Sequence, residues 1–148
     1  MRNIITLSKK KFLESFRYAP RPAISLIIKK TDGEFLLAKR SYAPLEGKWY
    51  LPGSFLLKNE HFSECAQRVS EKELGFHVPF SQLKLKGVYE TLHADSRGHI
   101  IDIIYEAILY KDQIEKLKPE EHIKFFANTP QENMYAGHGK ILKELGYK

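Results

Sequence analysis

With 148 residues the chain can bury one core without disulfides or a structural metal, and its single cysteine, Cys65, excludes a disulfide framework and points to a reducing, cytoplasmic setting. The 24 Lys and Arg against 18 Asp and Glu give a formal charge of +6, but outside Lys9 to Lys11 the basic residues lie scattered among acids, which favours a small anionic ligand over a nucleic-acid track. No apolar run is long enough for a signal peptide at the N-terminus or for a membrane span later, so a soluble protein is expected.

Ser8 is placed to cap a short helix with Phe12, Leu13 and Phe16 on one side, closed by Pro20 and Pro22. This N-terminal element, residues 1–20, reads as a docking or homodimer-forming piece. AISLIIKK and EFLLAKR are β-rich runs joined by Thr31, Asp32 and Gly33, a hairpin signal. KWYLPG and SFLL add strand material broken by Pro52 and Gly53, and a helix then runs to a stop at Gly75. LKGVYETL, a polar loop HADSRG and the apolar HIIDIIYEAILY supply further strands. A Pro-and-acid segment, KPEEHIKFFANTP, leads to a last helix with Met134, His138, Ile141, Leu142 and Leu145 at helical spacing. One α+β domain over residues 1–148 is expected, with helices packed about a mixed sheet.

At about 100° per residue, Phe62, Cys65, Ala66 and Val69 share one stripe of the central helix, and Glu73 lands in its middle. Glu64, Glu71 and Lys72 fall to the solvated side. An inward carboxylate at a helix C-terminus is costly through desolvation and through the dipole, so either a basic side chain or a metal must meet it.

The stretch from Gly33 to Phe76 resembles the Nudix hydrolases, whose box reads Gx5Ex7REUxEExGU with U aliphatic. On that register Glu60, Arg68, Glu73, Gly75 and Phe76 match, Ser54 takes the first Gly, and Val69, Ser70 and Lys72 depart. Val69 and Lys72 stand where the box has glutamates, a loss similar to that of one branch, the GDP-mannose mannosyl hydrolases. Lys39, Arg40, Pro44, Gly47, Trp49, Pro52, Gly53, Ala66 and the pair Gly87-Val88 fall where that branch has them.

The resemblance implies a Nudix-type α/β/α sandwich and a Mg²⁺-dependent hydrolase, with Mn²⁺ as a substitute ion. It would cleave GDP-mannose, or another nucleoside-diphosphate sugar, by water attack at the sugar C1. By the same resemblance, the Gly53 carbonyl, Glu73 and Glu121 would hold the ion, and His122 would serve as general base. Arg40 would clamp the diphosphate, with Arg68 assisting there or pairing with Glu64. Tyr89 and Tyr105 are candidates for lining the substrate pocket.

Several positions depart from that branch. Phe55 stands for an Arg, Ser25 for an Asp on the first strand and Glu121 for a Gln, and the HADSRG loop is short. Two alternatives therefore stand beside the main reading: a Nudix pyrophosphohydrolase cutting a phosphoanhydride, and a nucleotide-sugar binding module without turnover.

Overall fold

The computed structural model describes residues 3–117, 122–135 and 137–148. One mixed sheet carries the fold. Its first strand, β1 (Arg21–Lys29), runs parallel to β6 (Ile100–Ile108) along its whole length, and β6 is flanked on its other side by antiparallel β5 (Lys84–Thr91). The second edge of β1 is shared. β2 (Phe35–Lys39) meets it only at the hairpin, Lys29 opposite Phe35, and β4 (Gly53–Phe55) pairs with Ala23, Ile24 and Ser25 at the other end. β2 then turns away to pair with β3 (Trp49–Tyr50) and β7 (Ile123–Phe126).

Side-chain alternation along β1 gives the sheet two apolar faces. Ile24, Leu26 and Ile28 point to one face, where Cys65, Ala66, Val69 and Leu74 of α2 (Phe62–Leu74) pack. Ile27 points to the other, where Leu37, Leu51 and Ile104 meet Ile141 and Leu142 of α4 (His138–Glu144). The expected α+β sandwich forms, with α1 (Lys9–Ser15) and α3 (Lys111–Glu115) as short additions. Among the described residues no helix is long and apolar enough to cross a membrane.

Several sequence expectations change. Phe62 is 43% exposed, so the buried stripe of α2 begins at Cys65. Ser70 is fully buried and belongs to it, because its hydroxyl accepts from the Val78 amide at 3.2 Å and donates to the Gln67 carbonyl at 3.0 Å. Part of the Pro-and-acid segment, Ile123–Phe126, is strand rather than loop, and the last helix starts only at His138. Phe12 and Phe16 stack edge-on with each other and with Phe55 at 5.0–5.5 Å, whereas Leu13 of the same element stays exposed.

Candidate functional site

A cavity of about 140 Å³ is bordered by the start of β1, by β4 and by the last turn of α2. Its wall includes Ala23 and Ser25 of β1, Arg40, Tyr50 and Gly53, and Glu73 near the end of α2. Gly53 is required there by space. A Cβ on it would lie 2.6 Å from Ser25 Oγ and 2.8 Å from the Ile24 carbonyl, so only glycine lets β4 pair this closely with β1.

Of the residues singled out from the sequence, Arg40, Gly53 and Glu73 meet in this cavity. Glu73 stays on the inward line of α2 and receives the Tyr50 hydroxyl on both carboxylate oxygens, at 3.2 Å each. Burial first, and the Glu73 charge next, push the Tyr50 pKa well above the usual phenol range, so Tyr50 remains a donor. Arg40 is 7% exposed; its guanidinium lies 4.7 Å from the ring centres of Tyr42 and Tyr135, and its Nε donates to the Pro44 carbonyl at 2.6 Å. These contacts set the plane of the fork before any ligand arrives.

Arg68, Tyr105 and Tyr89 are placed elsewhere. The Arg68 guanidinium grips Glu60 through two bonds of 2.9 Å and also donates to Ser54 Oγ at 2.8 Å and the Phe55 carbonyl at 3.1 Å. Glu64 caps its own helix at the His61 amide instead of pairing with Arg68. Burial alone would raise the Glu60 pKa, but the hydrogen bonds from Arg68 and the Leu57 amide outweigh it and hold the carboxyl below its ordinary 4.5. Tyr105 points to the α2 face of β6, where it packs against Phe80 at 5.3 Å; the cavity is on the other face. Tyr89 packs against the apolar cluster beneath α4. His122 immediately precedes β7, and its carbonyl accepts from the Lys39 amide at 2.7 Å; it is not among the residues lining the cavity. Glu121 lies outside the described residues.

The cavity also contains residues that sequence reasoning passed over. Asp102 and His138 line it beside Ser25, and Arg97, Tyr42 and Tyr135 join them. His138, which the sequence assigns to an apolar helix stripe, is 4% exposed; its Nδ1 accepts from the Leu51 amide at 3.0 Å. The neutral ring therefore carries its proton on Nε2, which faces Asp102 Oδ1 at 3.8 Å. Arg97 is paired with buried Asp95 at 2.7 Å and hydrogen-bonded to Tyr135, and its guanidinium lies 5.2 Å from the Phe55 ring centre. A signal for Asp102 was present: an acid within the apolar run of β6 needs partners if it is buried.

The departures from the box also find their places. Val69 is 1% exposed and belongs to the core, whereas Lys72 lines the cavity next to Glu73. Among the described residues no three of His, Cys, Asp and Glu cluster as a metal site. Glu73 and the Gly53 backbone border one cavity, and Mg²⁺ takes most of its six oxygens from water and substrate phosphate, so this donor set fits one ion and not several. A larger open groove of about 980 Å³ lies at the opposite ends of β1 and β6, by Lys30 and Leu109, and none of these groups reaches it.

A sequence model of the NUDIX domain matches residues 19–145. Among curated relatives, an ADP-ribose pyrophosphatase of Methanocaldococcus jannaschii is 30% identical over 138 residues, covering 92% of this chain and 80% of that one. The low-salt glycan biosynthesis protein Agl8 of Haloferax volcanii is 28% identical over 132 residues, covering 85% and 82%. The MutT NUDIX hydrolase of Burkholderia pseudomallei superposes with a TM-score of 0.70 at 26% identity, covering 86% of this chain and 98% of that one. Against some longer solved chains that also match, this chain spans 60%, 54% and 45% of their length.

Proposed function

The chain belongs to the NUDIX domain family, and from that premise we propose that it hydrolyses the phosphoanhydride of a nucleoside-diphosphate sugar, with ADP-ribose as the first substrate to try. One observation carries the reading: Arg40, Lys72 and Arg97 stand with Glu73 and Gly53 around a single cavity. The charges of Arg40 and Lys72 suit a diphosphate, Arg97 being already paired with Asp95, and the Glu73 carboxylate with the Gly53 carbonyl suits a single divalent ion. The name of the Methanocaldococcus relative supports the choice of substrate.

In this reading the Arg40 fork, held between Tyr42 and Tyr135, binds the diphosphate oxygens, and Lys72 adds charge at the exposed side. Tyr50 keeps the Glu73 carboxylate turned inward. Glu73 and the Gly53 carbonyl would hold Mg²⁺, which when bound neutralises charge developing on the diphosphate. The apolar rings around Arg40 limit the water that can compete for its donors.

A second reading, attack at the sugar C1 of GDP-mannose, is favoured by Val69 and Lys72, which leave Glu73 as the one carboxylate among the last three glutamate positions of the box. His122, at the same end of β2 as Arg40, would then be the base. Turnover in ¹⁸O-water with Mg²⁺ separates the two. Label in phosphate supports the first reading, and label in the free sugar together with a large loss on His122→Ala supports the second. A purified protein with no turnover on any nucleotide sugar refutes both and leaves a binding module.

A further inference from the structure

The cavity is polarised along its depth. Its exposed side carries Tyr42, 58% exposed, and Lys72, whereas its floor is made by Ser25, Leu51, Asp102 and His138, none more than 4% exposed. Asp102 is set there by strand register. It lies opposite Ala23 on parallel β1, so its side chain shares the face on which Ser25 stands, and the Ser25 hydroxyl donates to Asp102 Oδ1 at 3.3 Å. His138 Nε2 approaches the same oxygen at 3.8 Å, with its own Nδ1 tied to the Leu51 amide.

This floor has a chemical preference. A carboxylate there repels phosphate and, having only acceptors when ionised, rewards a neutral group that brings hydroxyl or amine protons. The cavity is small, about 140 Å³, and buried side chains close its floor, which suits a compact ligand group.

Building on the proposed nucleoside-diphosphate sugar reading, we infer that Asp102, aligned by Ser25 and His138, is the acceptor for the hydroxyls of the substrate's terminal sugar, and so the residue that distinguishes a nucleotide sugar from the bare nucleoside diphosphate. The diphosphate stays at the Arg40 and Lys72 side, and the sugar ring enters the floor. Ser25 positions the carboxylate, and His138 keeps its proton on the nitrogen that faces it.

Calorimetric titration in EDTA, where turnover is suppressed, tests this with two ligand pairs: ADP against ADP-ribose and GDP against GDP-mannose. Wild type should prefer the sugar-bearing member in at least one pair, and Asp102→Asn, which is isosteric but presents a donor, should cut affinity for that member about tenfold while changing the bare diphosphate less than twofold. If the asparagine protein does not fold, Ser25→Ala decides, with a smaller loss confined to the same member. No sugar preference in wild type, equal weakening of both members, or an intact preference in the variants overturns the assignment. Turnover with Mg²⁺ is read separately: a sugar preference without product refutes the hydrolase and spares Asp102, whereas product without a sugar preference does the reverse.

Discussion

Replacing Arg68 by Met should destabilise the fold far more than an ordinary surface change. The Glu60 side chain is 3% exposed and the Arg68 side chain 36%, so the substitution strands a buried carboxylate that loses both bonds of a 2.9 Å fork. Breaking a buried pair from one side costs about 3–5 kcal/mol, and the partial exposure of Arg68 places this case near the lower end, about 3 kcal/mol. For a chain of this size that corresponds to a fall in Tm of roughly 6–12 °C. Thermal melting by circular dichroism at pH 7 reads it directly.

The pH dependence has a definite sign. Glu60 titrates below its ordinary 4.5 in the folded protein, so its stabilisation is fully present above that value and disappears as pH falls through the lowered one. The gap between wild type and Arg68→Met should therefore narrow in acid. The double variant Glu60→Gln with Arg68→Met, which leaves no charge stranded, should recover most of the loss. A fall of less than about 2 °C for the single variant, or a double variant as unstable as the single, would refute the reasoning.

Three further outcomes are expected. Gly53→Ala should lower stability by about 1–3 kcal/mol and weaken ligand binding, since its Cβ would meet Ser25 Oγ at 2.6 Å and backbone at 2.8 Å; an unchanged melt would show that β4 can move aside. Arg40→Lys should raise KM about tenfold, because an ammonium cannot reproduce a planar fork stacked between tyrosines, and a lysine enzyme with the KM of wild type would remove the clamp from Arg40. Cys65, fully buried, has its thiol pKa pushed up to about 12, by burial first and by the Glu60 charge next; it should resist a thiol reagent at pH 8 until the protein unfolds, which a colorimetric assay with and without denaturant would follow.

The central helix was legible because its 3.6-residue period and its glycine stop are local properties. Gly75 closes α2 with φ 87°, and Glu73 sits on the inward line that the periodicity implies. The partner of Arg68 was not legible, since Glu60 lies before the helix and reaches it across a turn, whereas Glu64 has the ordinary spacing but serves as a cap. β7 was hidden by the prolines and acids around it, and only its pairing with β2 makes Ile123–Phe126 a strand. The cavity floor was the least legible part. His138 fits an apolar helix stripe and Asp102 an apolar strand, and nothing local indicates that α4 lays one over the other. Specificity was read too narrowly: GDP-mannose rested on missing glutamates, while the 30% identical relative carries the name of an ADP-ribose pyrophosphatase.

The hydrogen bond between Ser25 and Asp102 joins residues 77 positions apart, and it depends on the parallel pairing of β1 with β6. That pairing raises the contact order of the fold, because a long loop must close before any of its bonds form. The hairpin and α2 can each be organised by nearby residues, but the floor of the cavity cannot exist until the two distant strands have met. A ligand that uses the floor therefore draws on the cooperative whole and gives nothing to partly folded chains, so its affinity should register in full as added global stability.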